Sequence, residues 1–386
     1  MTAASARGKV SNVRRLFLVL LSLALLSCVK EVPKKVVDAK VLDPIDGARA
    51  VIDKLYKAVE AGDADQLETL FADDALVFGV GPSDTWQGGT VIVDRARQAL
   101  LPIGLAGDEV KVDDSHIVVG LAEAEYSAWA FDLPKVTTTH KGKSSVWLPR
   151  MTAHLVRDGD RWRIDALHVS LAVPDTLVFA PDAAKKLLAP ADVTNDRSPD
   201  SEQVIGVVKR ALEDYAVKID RTSDRAEFVQ LGTSGAEAFI GGKAFKDLIK
   251  PQLGAIKKGG YSWKLDGNLR VKLGPGGKSG WAAGVVVQRQ VTGKKVQVFP
   301  AFRSLWTLIE EGGVWNISSE HQSLAVKEDL RDAATDEQLK EWKVIVELAE
   351  KTAAKSKSSK AGPKKGKDTP KDTPPKKEGE ADIGAW

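Results

Sequence analysis

The sequence predicts an α+β fold built as two tandem domains. Three observations lead there. In each half, helical stripes come first and strand-like runs follow, which sets helices on one face of a curved antiparallel sheet. The chain matches itself at one offset of 153 residues, so that residues 161–173 (RWRIDALHVSLAV) meet 314–326 (VWNISSEHQSLAV). The same offset lays Arg150 on Arg303, Gly159 on Gly312 and Gly88-Gly89 on Gly241-Gly242. One offset holding at both ends marks a repeat of domain size. The 386 residues, 43% of them hydrophobic, suffice for two cores of ordinary size.

Each element follows from local pattern. Residues 46–61 place apolar side chains at 48, 51, 52, 55, 56 and 59, one face of a helix, and Gly62-Asp63 breaks it. Residues 64–71 suggest a short second helix and 75–78 a brief strand. A third helix over 90–101 stops at Pro102, which lacks the amide proton that a helix needs. Strand-like runs follow at 109–119, 122–133, 144–156 and 162–173, with Arg157-Asp158-Gly159-Asp160 as the last hairpin turn. The second unit repeats the plan, with helices over 204–219 and 244–256 and strands ending at Val326. Residues 336–353 form an amphipathic helix with Leu339, Trp342, Ile345, Val346 and Ala349 on its apolar stripe, expected to pack on the second unit. The boundaries are 44–176 and 200–330 for the two domains, 177–199 for a linker, 334–354 for the helix and 355–386 for a tail.

The N-terminus reads as an address. Arg14-Arg15 precede an apolar run at 16–26, too short to span a bilayer and of the length of a signal-peptide core. The run ends in Leu25-Leu26-Ser27-Cys28, which resembles a bacterial lipobox. The resemblance implies cleavage of residues 1–27, acylation of Cys28, and residues 28–43 as a tether to the membrane. Val29 in place of an Asp favours the outer membrane, so the expected location is the cell envelope. Cys28 is the only cysteine, which excludes disulfides within the chain and multi-cysteine metal sites. The tail carries nine Lys against four acids over 355–380 and is disordered by composition. It reads as a solvated arm or as one that touches anionic envelope polymers or lipid headgroups. Residues 28–354 are net acidic, which argues against nucleic acid as a partner.

The closing phrase Trp-x-Ile-x-x-x-His-x-Ser resembles the NTF2-like superfamily, in its SnoaL-like and ketosteroid-isomerase-like branch. So do Ala61-Gly62-Asp63, Leu70-Phe71-Ala72-Asp73-Asp74-Ala75, the turn before Trp86 and Gly88-Gly89. The resemblance covers about 43–176 well and 200–328 less well. It implies two cone-shaped domains whose helices and concave sheet enclose a cavity. Members often dimerise through the sheet, so the two units are candidates for pairing within the chain. On the last strand, alternation puts Trp162, Ile164, Ala166, His168 and Ser170 on one face, and Trp315, Ile317, Ser319, His321 and Ser323 on its counterpart.

Candidates for chemistry are His168 and His321 as acid–base groups, and Arg150 and Arg303 as carboxylate holders. Each has a plainer reading. The histidines would be core groups satisfied by a neighbouring Ser or carbonyl. Arg150 would pair with Asp73, Asp74 or Asp84, and Arg303 with Asp224 or Glu237. Trp86, Trp129, Trp162, Ser170, Trp281, Trp315 and Ser323 are candidates to line a cavity that suits an apolar small molecule. His154, Asp165 and His168 do not make a metal site, because positions 165 and 168 on a strand point to opposite faces, and no cofactor motif is present. The tyrosines, Tyr56, Tyr126, Tyr215 and Tyr261, do not fall at the spacing of the isomerase constellation. The expected function is a small-molecule-binding or scaffolding module. The alternative is a SnoaL-like isomerase, cyclase or hydrolase with a His/Arg-lined cavity.

Overall fold

The computed structural model describes residues 43–113, 116–123, 125–173, 198–235, 237–326 and 333–359. The leader, Cys28, the tether to residue 42, nearly all of the linker and the tail from residue 360 lie outside these. Among the described residues no helix is long and apolar enough to cross a membrane.

Helix α1 (Pro44–Ala61) starts where Asp43 accepts a hydrogen bond from the Ile45 amide and Pro44 fills the first turn. It ends at Gly62, whose φ of 64° is the left-handed cap that glycine tolerates. A 3-10 turn (Ala64–Thr69), β1 (Phe71–Phe78) and β2 (Thr85–Gln87) lead to α2 (Gly89–Ala106). Then come β3 (Glu109–Asp113), β4 (Val118–Leu121), β5 (Ser127–Asp132), β6 (Lys135–His140), β7 (Lys143–Trp147), β8 (Pro149–Asp158) and β9 (Arg161–Leu171). The main sheet runs β2-β1-β9-β8-β5-β4, and β3-β6-β7 form a separate wing.

The C-terminal half opens with α3 (Pro199–Glu213) and α4 (Tyr215–Arg221). Strands β10 (Val229–Leu231) and β11 (Ala238–Ile240) precede α5 (Gly242–Ile249) and α6 (Leu253–Lys258). Strands β12 (Tyr261–Leu265), β13 (Arg270–Leu273), β14 (Ser279–Thr292), β15 (Lys295–Val298), β16 (Phe302–Glu311) and β17 (Val314–Ser323) follow. Their sheet runs β11-β10-β17-β16-β14-β12, with β13 and β15 also paired to β14. The last helix, α7, spans Asp336–Ser359.

The sheets are mixed rather than antiparallel throughout. β1 runs parallel to β9, and β10 parallel to β17. Their registers agree at the offset read in the sequence: Phe78 lies beside His168, and Leu231 beside His321. Several boundaries differ from expectation. The run at 109–119 divides between wing and main sheet, as does 144–156, because the N-terminal half divides its strands between two sheets. β6 is missed by a hydrophobic reading because Lys135–His140 is threonine-rich. Residues 204–219 break at Asp214, whose side chain caps α4. Helix α2 passes through Pro102 to Ala106, and α7 outlasts residue 354 to Ser359, five residues into the expected tail.

Strand β9 presents its side chains differently from simple alternation. Its register slips by one residue, with His154 opposite Ala166 but Leu155 opposite Ile164. Asp165 is the extra residue of a β-bulge, and a bulge turns the strand over. Trp162, Ile164 and Leu167 therefore face the N-terminal core, while Ala166 turns to a second cluster with Trp281 and Leu305 of the other half. β17 has the same slip at Ser318, so Trp315 and Ile317 enter the C-terminal core.

Helix α7 does not rest on the C-terminal half alone. Val346 and Ala349 pack in one cluster with Val118 and Phe131 of the first half and Val229 and Ile240 of the second. Trp342 Nε1 donates to the Leu133 carbonyl at 2.9 Å.

Candidate functional site

The bulges aim four matched polar residues at the seam between the halves. The His168 and His321 rings stack at 3.9 Å with 18° between planes. His168 Nε2 lies 2.7 Å from Ser323 Oγ, and His321 Nε2 lies 2.8 Å from Ser170 Oγ. The two contacts exchange under the 153-residue offset, the reciprocity of a two-fold interface. Thr152 Oγ1 meets His321 Nδ1 at 3.1 Å. Backbone bonds obey the same exchange: Val173 N donates to Thr233 O, and Val326 N donates to Val80 O.

Arg150 and Arg303 also reach across. Arg150 Nη1 donates to Ser234 O at 2.9 Å and its Nη2 donates to Ser170 Oγ at 3.1 Å. Arg303 donates to the carbonyls of Gly79, Gly81 and Asp84 at 2.5, 3.1 and 3.2 Å. Among the described residues, these contacts are to carbonyls and a serine rather than to the carboxylates expected of them. Burial brings the Arg150 pKa down to about 10, against the opposing charge of Glu237. Burial holds both imidazoles well below their usual pKa; Arg303 adds most to the shift of His168, and His168 to that of His321. All four side chains are buried, at 4% exposure or less. Neutral, stacked and enclosed, the histidines act as a structural lock, so the four catalytic candidates do not line a cavity.

Asp165, the bulge residue, anchors a second seam cluster. Trp281 Nε1 donates to its Oδ2 at 2.8 Å, and Lys272 Nζ pairs with its Oδ1. His154 Nδ1 stands 3.3 Å from Oδ2, in ion-pair range but off the line of a hydrogen bond. Burial would raise the Asp165 pKa; His154 and Lys272 outweigh it and hold the carboxyl below its usual value. The argument that Asp165 and His168 point to opposite faces fails because the bulge at Asp165 turns both toward the other half, Asp165 to Trp281 and His168 to Ser323, yet no metal-ligating cluster of three forms among the described residues. His154 Nε2 faces Ser279 Oγ at 3.3 Å, giving the order Ser–His–Asp. Ser279 is 2% exposed and contacts Ser127 Oγ, so no substrate reaches it in this arrangement.

The cavity-lining set divides. Trp162 and Trp315 lie in the cores of their halves, and Trp86 packs against the first. Trp129 and Trp281 belong to the seam, as do Ser170 and Ser323. Trp129 Nε1 donates to Glu227 O, and its ring faces the Arg225 guanidinium at 5.4 Å. The flipped upper strand is the reason for the serines; the tryptophans sit on the seam-facing side of β5 and β14.

Two polar pairs inside the halves escaped the sequence reading. Tyr56 on α1 donates to Asp132 on β5 at 2.9 Å, with Asp132 fully buried. In the C-terminal half Lys218 on α4 meets Glu320 on β17 at 2.5 Å, with side-chain exposures of 8% and 1%. Gln322 Nε2 donates to Glu320 Oε1, and Lys218 Nζ sits 4.8 Å from the Tyr215 ring centre. Burial opposes the Lys218 charge, but Glu320 and Tyr215 hold its pKa above the usual value. A signal for this pair was present: Leu167 and Val169 become Glu320 and Gln322 at the same offset, an apolar-to-polar change on an inward face.

Residues 48–174 match the SnoaL-like domain family. None of the curated proteins matches the chain. Among solved structures, an NTF2-like protein of unknown function from Pseudomonas putida KT2440 is 18% identical, with 39% of this chain and 95% of that one covered and a TM-score of 0.30. An NTF2-like protein with a cystatin-like fold from Novosphingobium aromaticivorans is 15% identical, covering 43% and 92%, with a TM-score of 0.29. A ketosteroid isomerase-like protein from Erwinia carotovora atroseptica is 13% identical, covering 34% and 98%, with a TM-score of 0.28.

Proposed function

We propose that the chain is a lipid-anchored cell-envelope protein in which two NTF2-like copies, residues 44–176 and 200–330, pair with each other and act as a scaffolding module. One observation carries this reading. The polar residues matched across the repeat, Arg150 with Arg303, His168 with His321 and Ser170 with Ser323, all contact the opposite copy. Groups held in such contacts are unavailable to a ligand. The interior of each copy is occupied by its own side chains, among them Ile52, Leu55 and Trp162 in one and Val208, Phe245 and Trp315 in the other. Cys28 supplies the anchor, with the outer membrane as destination.

A second reading rests on Glu320 and Lys218. A buried carboxylate beside an ammonium, under a helix and on an inward strand face, suits binding or turnover of a small molecule in the second copy. Native mass spectrometry of the chain extracted from bacterial membranes separates the two. A monomer carrying acyl mass on Cys28 and no other adduct supports the scaffold. A retained small molecule that Glu320→Gln releases would replace it with the ligand-binding reading.

A further inference from the structure

The C-terminal wing differs from its N-terminal counterpart in a way the seam does not explain. Residues 243–298 hold twelve Lys and Arg against two acids, Asp247 and Asp266. Here β12, the far end of β14 and β15 form a three-stranded ribbon. Its register sets Lys264 opposite Val287, Arg289 opposite Val298, and Val291 opposite Val296. Directly opposed residues share a face, so four valines and two cations stand together. The other face turns inward at β12, where Trp263 meets the Tyr215 ring at 5.2 Å, and is exposed at Thr292, Lys295 and Gln297. Val291, Val296 and Val298 are 47, 61 and 57% exposed.

More cations ring this patch. Lys294 and Lys295 follow Gly293 at the hairpin tip. Lys257 and Lys258 end α6, tied to the ribbon because the Gln290 side chain donates to the Gly259 carbonyl. Lys257, Lys258, Lys264, Arg289, Lys294 and Lys295 are all exposed, and none forms an ion pair among the described residues. The corresponding face of the N-terminal wing is polar and balanced in charge, with Lys111 paired to Glu109 and Lys135 to Asp113.

We propose that this face docks on an anionic lipid surface. Cations alone would suit any polyanion. The contiguous valines decide the matter, because a sugar or phosphate polymer would leave them in water, and the face presents no aromatic ring for a base to stack on. A bilayer takes both parts: cations at the headgroups, valines at the acyl boundary. Docking orients the molecule with its C-terminal wing down, and it does not depend on acylation of Cys28.

The test uses the full chain with Cys28→Ala and Val296→Cys, labelled with an environment-sensitive fluorophore. A second chain carries the label at Ser144→Cys on the other wing. Vesicles of equal parts phosphatidylglycerol and phosphatidylcholine should shift the label at 296 to the blue and allow quenching by spin-labelled lipid. The label at 144 should not respond, and neither should 296 on phosphatidylcholine alone. Lys294→Gln with Lys295→Gln should weaken vesicle binding about 25-fold, about fivefold for each charge. No shift at 296 on the anionic vesicles overturns the proposal. So does an equal shift with dextran sulfate, an equal shift on neutral vesicles, or a shift that grows with protein concentration without lipid.

Discussion

The pair His168 and His321 sets the acid response of this protein. An unfolded histidine titrates near pH 6.5. Both of these are held well below that value, first by burial, so the folded state prefers them neutral. Below about pH 6.5 the unfolded chain binds more protons than the folded one, and stability falls as pH falls. The limiting slope is about 1.4 kcal/mol per pH unit for each histidine. Urea unfolding should show full stability above pH 7 and a steady loss from pH 6.5 downward, and His321→Gln should flatten that slope by about half. Asp165 acts in a separate window. Its lowered pKa supports the fold above the usual carboxylate pKa near 3.8, and this support is lost only as pH falls through the folded value. Histidine at matched positions was legible in the sequence. Its partner was not, because Ser323 lies 155 residues from His168.

Helix α7 links elements of both halves. It covers the junction where β4 of one sheet meets β11 of the other, with Val346 and Ala349 buried against both. His116 Nδ1 adds a contact to Glu350 at 3.1 Å. Trp342 is half-buried, so Trp342→Ala should lower stability by about 2 kcal/mol, less than for a fully buried ring. Amide exchange should quicken in β4 and β11 together, because one helix protects both. A loss confined to β11 would show that α7 serves only the C-terminal half. The apolar stripe of α7 was readable from its periodicity. The surface that receives it was not, because that surface arises only when Val118 and Phe131 come to lie beside Val229 and Ile240.

The halves meet by an arrangement that one half can satisfy with a second copy of itself. His168 contacts Ser323, and Ser170 occupies the same place in the N-terminal half. The intact chain should therefore run as a monomer by size exclusion with light scattering. Residues 43–173 alone should run as a dimer, with the seam residues of one copy facing those of the next. Adding residues 198–359 should convert that dimer to a heterodimer. A well-folded monomer of 43–173 would contradict this, since it would leave Trp129 and Phe78 uncovered in water.

The helices and the turns at Gly62 and Gly159 were written in local pattern, because periodicity and glycine chemistry act over a few residues. The direction in which β9 presents its side chains was not. Alternation assigned His168 and Ser170 to the face of Trp162, and one extra residue at Asp165 reversed them. A bulge follows from hydrogen-bond register with β8, and Trp281 and Lys272, more than a hundred residues away, hold the bulged carboxylate. Residue type is a property of the chain; which pairs share a desolvated space depends on contacts between distant strands, and those form only on folding.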